Sequence, residues 1–93
     1  DEWHTDLTFQ KRPALMSILK MTAAPDVGGD TMWTDLVAAF KALSKPMQDL
    51  CSSISALHDA SPHMHPEKMT IHPVVRKHPD TGEAVLYVNE HFT

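Results

Sequence analysis

Trp3-His4-Thr5-Asp6-Leu7-Thr8-Phe9 is the stretch on which the reading of this chain turns. Its threonines and aromatic residues predict a strand from His4 to Lys11. On a strand, side chains two residues apart share one face at about 7 Å along the backbone, so His4 and Asp6 can converge on one metal ion.

The pattern is not specific by itself. With seven His and twelve acidic residues in 93 positions, about one acid two places after a His arises by chance. The chain holds three such pairs, but His65-Pro66-Glu67 and His78-Pro79-Asp80 carry a central proline, which suits turns and is excluded from central strands. Only His4 and Asp6 lie in strand-like sequence, where a metal pair and a solvated, hydrogen-bonded pair both fit. As a metal pair they supply two of the three ligands of the facial arrangement found in non-haem Fe(II) oxygenases, which leaves the opposite metal face open. The third ligand must come from elsewhere.

Working outward, the remaining sequence predicts a mixed α/β chain that is mainly β. Ala14 to Met21 is apolar and bounded by Pro13 and Pro25, and reads as a second strand. Pro25 to Asp30 is a loop whose adjacent Gly28 and Gly29 open backbone angles closed to other residues and deliver Thr31-Met32-Trp33 to a fixed place. Thr34 is the expected N-cap of a helix with Asp35 in its first turn and Leu36, Val37, Phe40 and Leu43 on its apolar face. Ser44 with Pro46 restarts a second helix, expected to run to about His58 after a tight corner. Ala60 to Lys68 reads as a surface loop in which His63 and His65 are solvated. Residues 69 to 89 read as a hairpin about the Pro79-Asp80-Thr81-Gly82 turn.

Composition sets the class. Ninety-three residues make one small domain, and 42% hydrophobic with 22% charged residues is ordinary for a globular chain. No apolar run is long enough to cross a bilayer as a helix, so no membrane partner is expected. The formal charge of −4 and the scattered eight Lys and Arg give no footprint for nucleic acid. Cys51 is the only cysteine; it reads as a small helix-face hydrophobe, and a reducing, cytoplasmic setting is the default. The start inside the best motif and the end on Asn89-Glu90-His91-Phe92-Thr93 suggest a piece of a longer protein. A homo-oligomer is compatible with all of this.

Five blocks, taken in order, carry a family resemblance: Trp-His-Thr-Asp-Leu-Thr-Phe at 3 to 9, Gly-Gly-Asp-Thr-Met-Trp at 28 to 33, His-Pro-Val-Val-Arg at 72 to 76, His-Pro-Asp-Thr-Gly at 78 to 82, and Leu-Tyr-Val-Asn with Phe-Thr at 86 to 93. Together they resemble the taurine dioxygenase (TauD/TfdA) family of Fe(II)/2-oxoglutarate-dependent oxygenases over practically the whole chain. The resemblance implies part of a double-stranded β-helix (jelly-roll) core with a helical insertion, an Fe(II) ion, and 2-oxoglutarate as co-substrate. It implies that His4 and Asp6 are iron ligands, that the Thr31 hydroxyl bonds the distal carboxylate of 2-oxoglutarate, and that Leu7 and Phe92 line the substrate pocket.

The same resemblance puts the second histidine ligand and the 2-oxoglutarate-binding arginine downstream of Thr93. His72 and His91 belong to blocks matched elsewhere and are not taken as the third ligand. The expected activity uses O2 to hydroxylate a small anionic molecule, taurine or another sulfonate first, with release of succinate, CO2 and sulfite. Alkyl sulfates, aryloxyalkanoates, or a non-catalytic jelly-roll binding domain are the alternatives. The isolated 93 residues are expected to bind Fe(II) weakly at most, to turn over nothing, and to fold poorly with sheet edges uncovered.

Overall fold

The computed structural model describes residues 2–93. Two helices, α1 (Leu36–Ala42) and α2 (Lys45–Ser53), precede four strands: β1 (Ser55–Ala60), β2 (His65–Pro73), β3 (Val75–Lys77) and β4 (Ala84–Leu86). The strands form two antiparallel pairs, β1 with β2 and β3 with β4, so the chain is mainly β with two helices.

The helix-corner-helix unit follows from local chemistry. Asp35, not Thr34, is the N-cap of α1, because its carboxylate accepts from the Val37 and Ala38 amides at 2.8 and 3.2 Å. Ser44 caps α2 by position, with Pro46 in the first turn. The Gln48 amide donates to Leu43 O at 3.0 Å and Phe40 O at 3.3 Å, stitching the end of α1 onto α2. The second helix stops at Ser53, well short of His58. Ser52 and Ser53 turn their hydroxyls back onto the Gln48 and Leu50 carbonyls at 2.7 Å, a local alternative to continuing the helix. Beyond them the burial alternates with period two and ends on fully buried His58 and Ala60, which is the signature of a strand.

Residues 60 to 68 are therefore not one loop. Ser61–His63 forms a single 3-10 turn, and His65 already pairs with Ala60 across a register shift that follows Asp59. From Met69 to Pro73 β2 pairs with β1, with Pro73 at the strand end where its missing donor costs least. The expected hairpin is present but shorter, Val75↔Leu86 to Lys77↔Ala84, closed by the His78 N–H to Glu83 O bond at 2.8 Å and by Gly82 at φ +71°.

The two amino-terminal strands are absent. Residues 6–9 form a turn, with Leu7 at φ +58° and the Gln10 amide donating to Leu7 O at 3.0 Å. A left-handed leucine costs about 1–2 kcal/mol. The turn sends Thr8 and Phe9 inward to 1% and 8% exposure, and burying a phenylalanine returns about 1.5–3 kcal/mol, so burial wins over extension. Ala14 to Met21 finds no ladder partner among the described residues, and its Ile18 is 91% exposed. The core is small: Phe9, Ala60 and Phe92, with Phe9 and Phe92 rings edge to face at 5.2 Å, beside a second group of His58, His72 and Tyr87 rings 5.4–5.5 Å apart. A radius of gyration of 15.0 Å, against about 12 Å for a compact chain of this length, reflects the open amino-terminal segment.

Candidate metal centre

The turn that breaks the predicted strand brings the two candidate ligands together all the same. His4 Nε2 lies 3.3 Å from Asp6 Oδ1, with both side chains about half exposed. The other ring nitrogen, Nδ1, is 2.9 Å from the Glu2 carbonyl, an acceptor only, so Nδ1 carries a proton; a ring with no second proton would turn its Nε2 lone pair toward Asp6. Two acceptor atoms then face each other, an arrangement that a shared cation satisfies. Ligands at about 2.0–2.2 Å from an ion and 90–110° apart around it stand roughly 2.8–3.6 Å from each other, a range that contains the observed gap. The Ser17 hydroxyl donates to Asp6 Oδ2 at 2.8 Å and aims the carboxylate from behind. Among the described residues no group of three His, Cys, Asp or Glu is arranged around one ion, so the chain offers a pair that fits a metal and an open remainder.

Two concavities meet at this pair. One, of about 840 Å³, runs between the 14–19 segment and Thr31–Thr34 and includes His4, Asp6 and Ser17 in its wall. Thr31 is brought onto that wall by the glycine loop: Gly28 and Gly29 both have φ near +77°, and a Cβ on Gly29 would sit 3.1 Å from Pro25 Cγ. The other, of about 410 Å³, is lined by Glu2, His4, Asp6, His63, His91 and Phe92. Phe92 is 4% exposed and stands edge to face with His4 at 6.5 Å, so it is at once core and pocket wall. Leu7 occupies the turn beside Asp6, partly exposed, and lines neither hollow.

Sequence reasoning missed Glu2, Ser17, His63 and His91. His63 is not merely a solvated loop residue: its Nε2 is 3.2 Å from His91 Nε2, and His91 Nδ1 is 2.6 Å from Glu2 Oε2. The side-chain hydrogen bond from the His91 ring is the main cause that holds the Glu2 carboxyl below the usual carboxylate range. Nothing local in sequence could have joined residues 28 and 89 positions apart; a polar Ser17 inside the apolar run is the one local signal that could have been used. Of the other histidines, His65 pairs with Glu67, buried His72 reaches Gln10 O at 3.0 Å, His78 Nδ1 accepts from the Asp80 and Thr81 amides at 3.2 and 3.3 Å, and buried His58 meets Thr93 Oγ1 at 3.2 Å through Nδ1 while its Nε2 has no partner among the described residues. Cys51 is half-buried on α2.

The mainly-β scaffold thus presents a His-x-Asp pair backed by a serine, with Thr31 of the glycine loop on the wall of the same hollow. Residues 1–93 match the sequence model of the "Taurine catabolism dioxygenase TauD, TfdA family" throughout, and the chain belongs to that family. It is 33% identical to an alpha-ketoglutarate-dependent sulfonate dioxygenase of Saccharomyces cerevisiae, over 98% of this chain and 25% of that protein. It is 35% identical to an alpha-ketoglutarate-dependent sulfate ester dioxygenase of Pseudomonas putida, over 99% of this chain and 37% of that protein. The crystal structure of a taurine dioxygenase from Burkholderia xenovorans superposes with a TM-score of 0.88 at 42% identity, covering 97% of this chain and 32% of that one. The chain thus spans about a quarter to a third of the relatives it matches.

Proposed function

We propose that the full-length protein is an Fe(II)- and 2-oxoglutarate-dependent dioxygenase acting on a small anionic substrate, a sulfonate such as taurine before a sulfate ester or an aryloxyalkanoate. The observation that carries this is the His4 Nε2 to Asp6 Oδ1 approach at 3.3 Å in a chain of this family. His4 and Asp6 hold the iron, and the Thr31 hydroxyl donates to the distal carboxylate of 2-oxoglutarate. Bound iron with 2-oxoglutarate supplies the oxidation: the keto acid and O2 give succinate and CO2 while one oxygen atom enters a C–H bond of the substrate. Where that carbon bears a sulfonate, the hydroxylated product breaks its C–S bond to release sulfite and an aldehyde.

The chain's own residues position and exclude water. Glu2 O and Ser17 Oγ fix the orientation of the ligand pair, and Phe92 forms an apolar wall beside it. On this reading the third iron ligand and the arginine for the keto acid lie outside these 93 residues. A jelly-roll core is part of the same reading, supported by the likeness to the Burkholderia structure. A cytoplasmic setting is supported by the single Cys51. No helix among the described residues is long and apolar enough to cross a membrane.

Succinate formation by the full-length protein, supplied with Fe(II), 2-oxoglutarate and each of the three substrate classes, tests the proposal. Stimulation by sulfonates is expected. Stimulation by none of the classes would remove the enzyme reading in favour of a non-catalytic binding domain.

A further inference from the structure

The smaller hollow holds a second arrangement of ligand atoms that the dioxygenase reading does not use. His63 and His91 come from separate parts of the chain and turn their Nε2 atoms toward each other at 3.2 Å. Two imidazole nitrogens bound at about 2.0–2.1 Å to one tetrahedral cation stand roughly 3.3 Å apart, so the rings already have the spacing of a chelating pair. His91 also has the outer partner typical of a metal-bound histidine: Glu2 Oε2 accepts from its Nδ1–H at 2.6 Å, which leaves the Nε2 lone pair facing the hollow. Glu2 therefore serves two histidines, His4 through its carbonyl and His91 through its carboxylate.

Both rings are held before any ion arrives. His91 follows Asn89, whose Oδ1 accepts from the His91 and Phe92 amides at 3.2 and 2.9 Å. His63 closes the 3-10 turn, pinned by the Ser61 amide on Asp59 Oδ1 at 2.7 Å and the Met64 amide on Ser61 O at 2.9 Å. Phe92 packs against both rings, at 5.2 Å from His63 and 4.5 Å from His91. With the His63 proton on Nδ1 instead of Nε2, both Nε2 atoms would present lone pairs to one ion and form a two-nitrogen chelate.

We propose that His63 and His91, backed by Glu2, form a second divalent-cation site for imidazole-preferring metals such as Zn²⁺, distinct from the His4–Asp6 pair and opening into the same hollow. With two protein ligands the remaining positions are filled by water. Late first-row ions bind imidazole more strongly than Fe(II) does, so the site selects Zn²⁺, Ni²⁺ and Cu²⁺ over the catalytic metal. Occupancy sets an ion beside Phe92 and obstructs the hollow, a consequence for turnover that rests on the dioxygenase reading.

The test is calorimetric titration of metal-stripped, full-length protein with Zn²⁺, comparing variants. The His63→Ala and His63→Gln variants are expected each to lose one equivalent of bound Zn²⁺ relative to the parent, and His4→Ala to lose a different one, so that His4→Ala/His63→Ala loses two. Glu2→Gln should keep the equivalent with affinity weakened about tenfold, as loss of an outer-shell carboxylate does. His63 is exposed, and unchanged circular dichroism in both its variants separates ligand loss from unfolding. Unchanged stoichiometry in both His63 variants would overturn the site. So would loss of one and the same equivalent in His4→Ala and His63→Ala, which would mean a single shared ion. Loss of an equivalent with His63→Ala but none with His4→Ala would uphold this site while removing the catalytic-metal reading.

Discussion

The region from Ser55 to Phe92 and the segment from Glu2 to Thr34 are built on opposite principles. The first satisfies its backbone through two strand pairs and buries His58, Ala60, Val74, Tyr87 and Phe92. The second has no regular element and leaves Leu15, Ile18, Leu19 and Trp33 largely exposed, yet it carries the His4–Asp6 pair and Thr31. Its link to the paired region runs through Phe9 against Phe92, His72 Nε2 to Gln10 O, the Asn89 amide to Thr8 Oγ1 at 3.4 Å, and the Trp3 amide to Glu90 Oε1 at 3.0 Å. The His4–Asp6 pair sits on a strap that is positioned by a sheet rather than being part of one. Loops held by a scaffold are where reactive groups gain proximity without the constraints of a ladder.

The largest expected effect comes from breaking the strap's own pair. His4→Ala or Asp6→Ala in the full-length protein should lower Fe(II) affinity by more than the roughly hundredfold that an outer-shell change can cost, with the fold intact; equilibrium dialysis at fixed Fe(II) reads this. Next is the joint between the two regions. Phe92→Ala removes the ring that meets both Phe9 and the site histidines and should cost about 3–5 kcal/mol, read as a shift of the denaturation midpoint without change of slope. Phe92→Leu should recover most of that loss. Ser17→Ala touches only the strap: it frees Asp6 Oδ2 and should weaken Fe(II) binding about tenfold while leaving the denaturation midpoint in place.

The smallest effect sharpens the comparison from the scaffold side. His58 is wholly buried in the paired region, and its pKa is held below the ordinary histidine value by desolvation first, then by His72 and Arg76. The unfolded chain therefore takes up a proton that the folded chain refuses as pH falls below about 6.5. The contribution is fully present above that pH and is lost progressively toward the depressed folded value. Thermal midpoints measured from pH 7.5 to 5.5 should fall on acidification, and His58→Phe should flatten the slope; an equal slope in both proteins would rule out His58 as its source.

What was legible divides along the same line. The corner at Ser44, the turn at Pro79 to Gly82 and the two helices depend on contacts within a few residues, and the residue types announce them. The errors have more than one cause. Thr34 lost the cap to Asp35 because a carboxylate there reaches two amides, a matter of a single residue. Among the larger misses, the strand over 4–11 gave way because Phe9 packs on distant Phe92, 14–21 has no ladder partner among the described residues, and the loop over 60–68 is cut short because β2 pairs back onto β1, beginning with His65 on nearby Ala60.

Sequence alone was enough for the pairing of His4 with Asp6, because two residues with one between them stay close in a turn as they do in a strand. It was enough, too, for the glycine loop that sets Thr31, since φ near +77° is a property of Gly28 and Gly29 themselves. Only tertiary structure decided that Ser17 would back Asp6, that Phe92 would wall the metal pair, and that Glu2, His63 and His91 would meet in one hollow. Those contacts join residues 11 to 89 positions apart and are set by which apolar rings bury together, a choice no local pattern encodes.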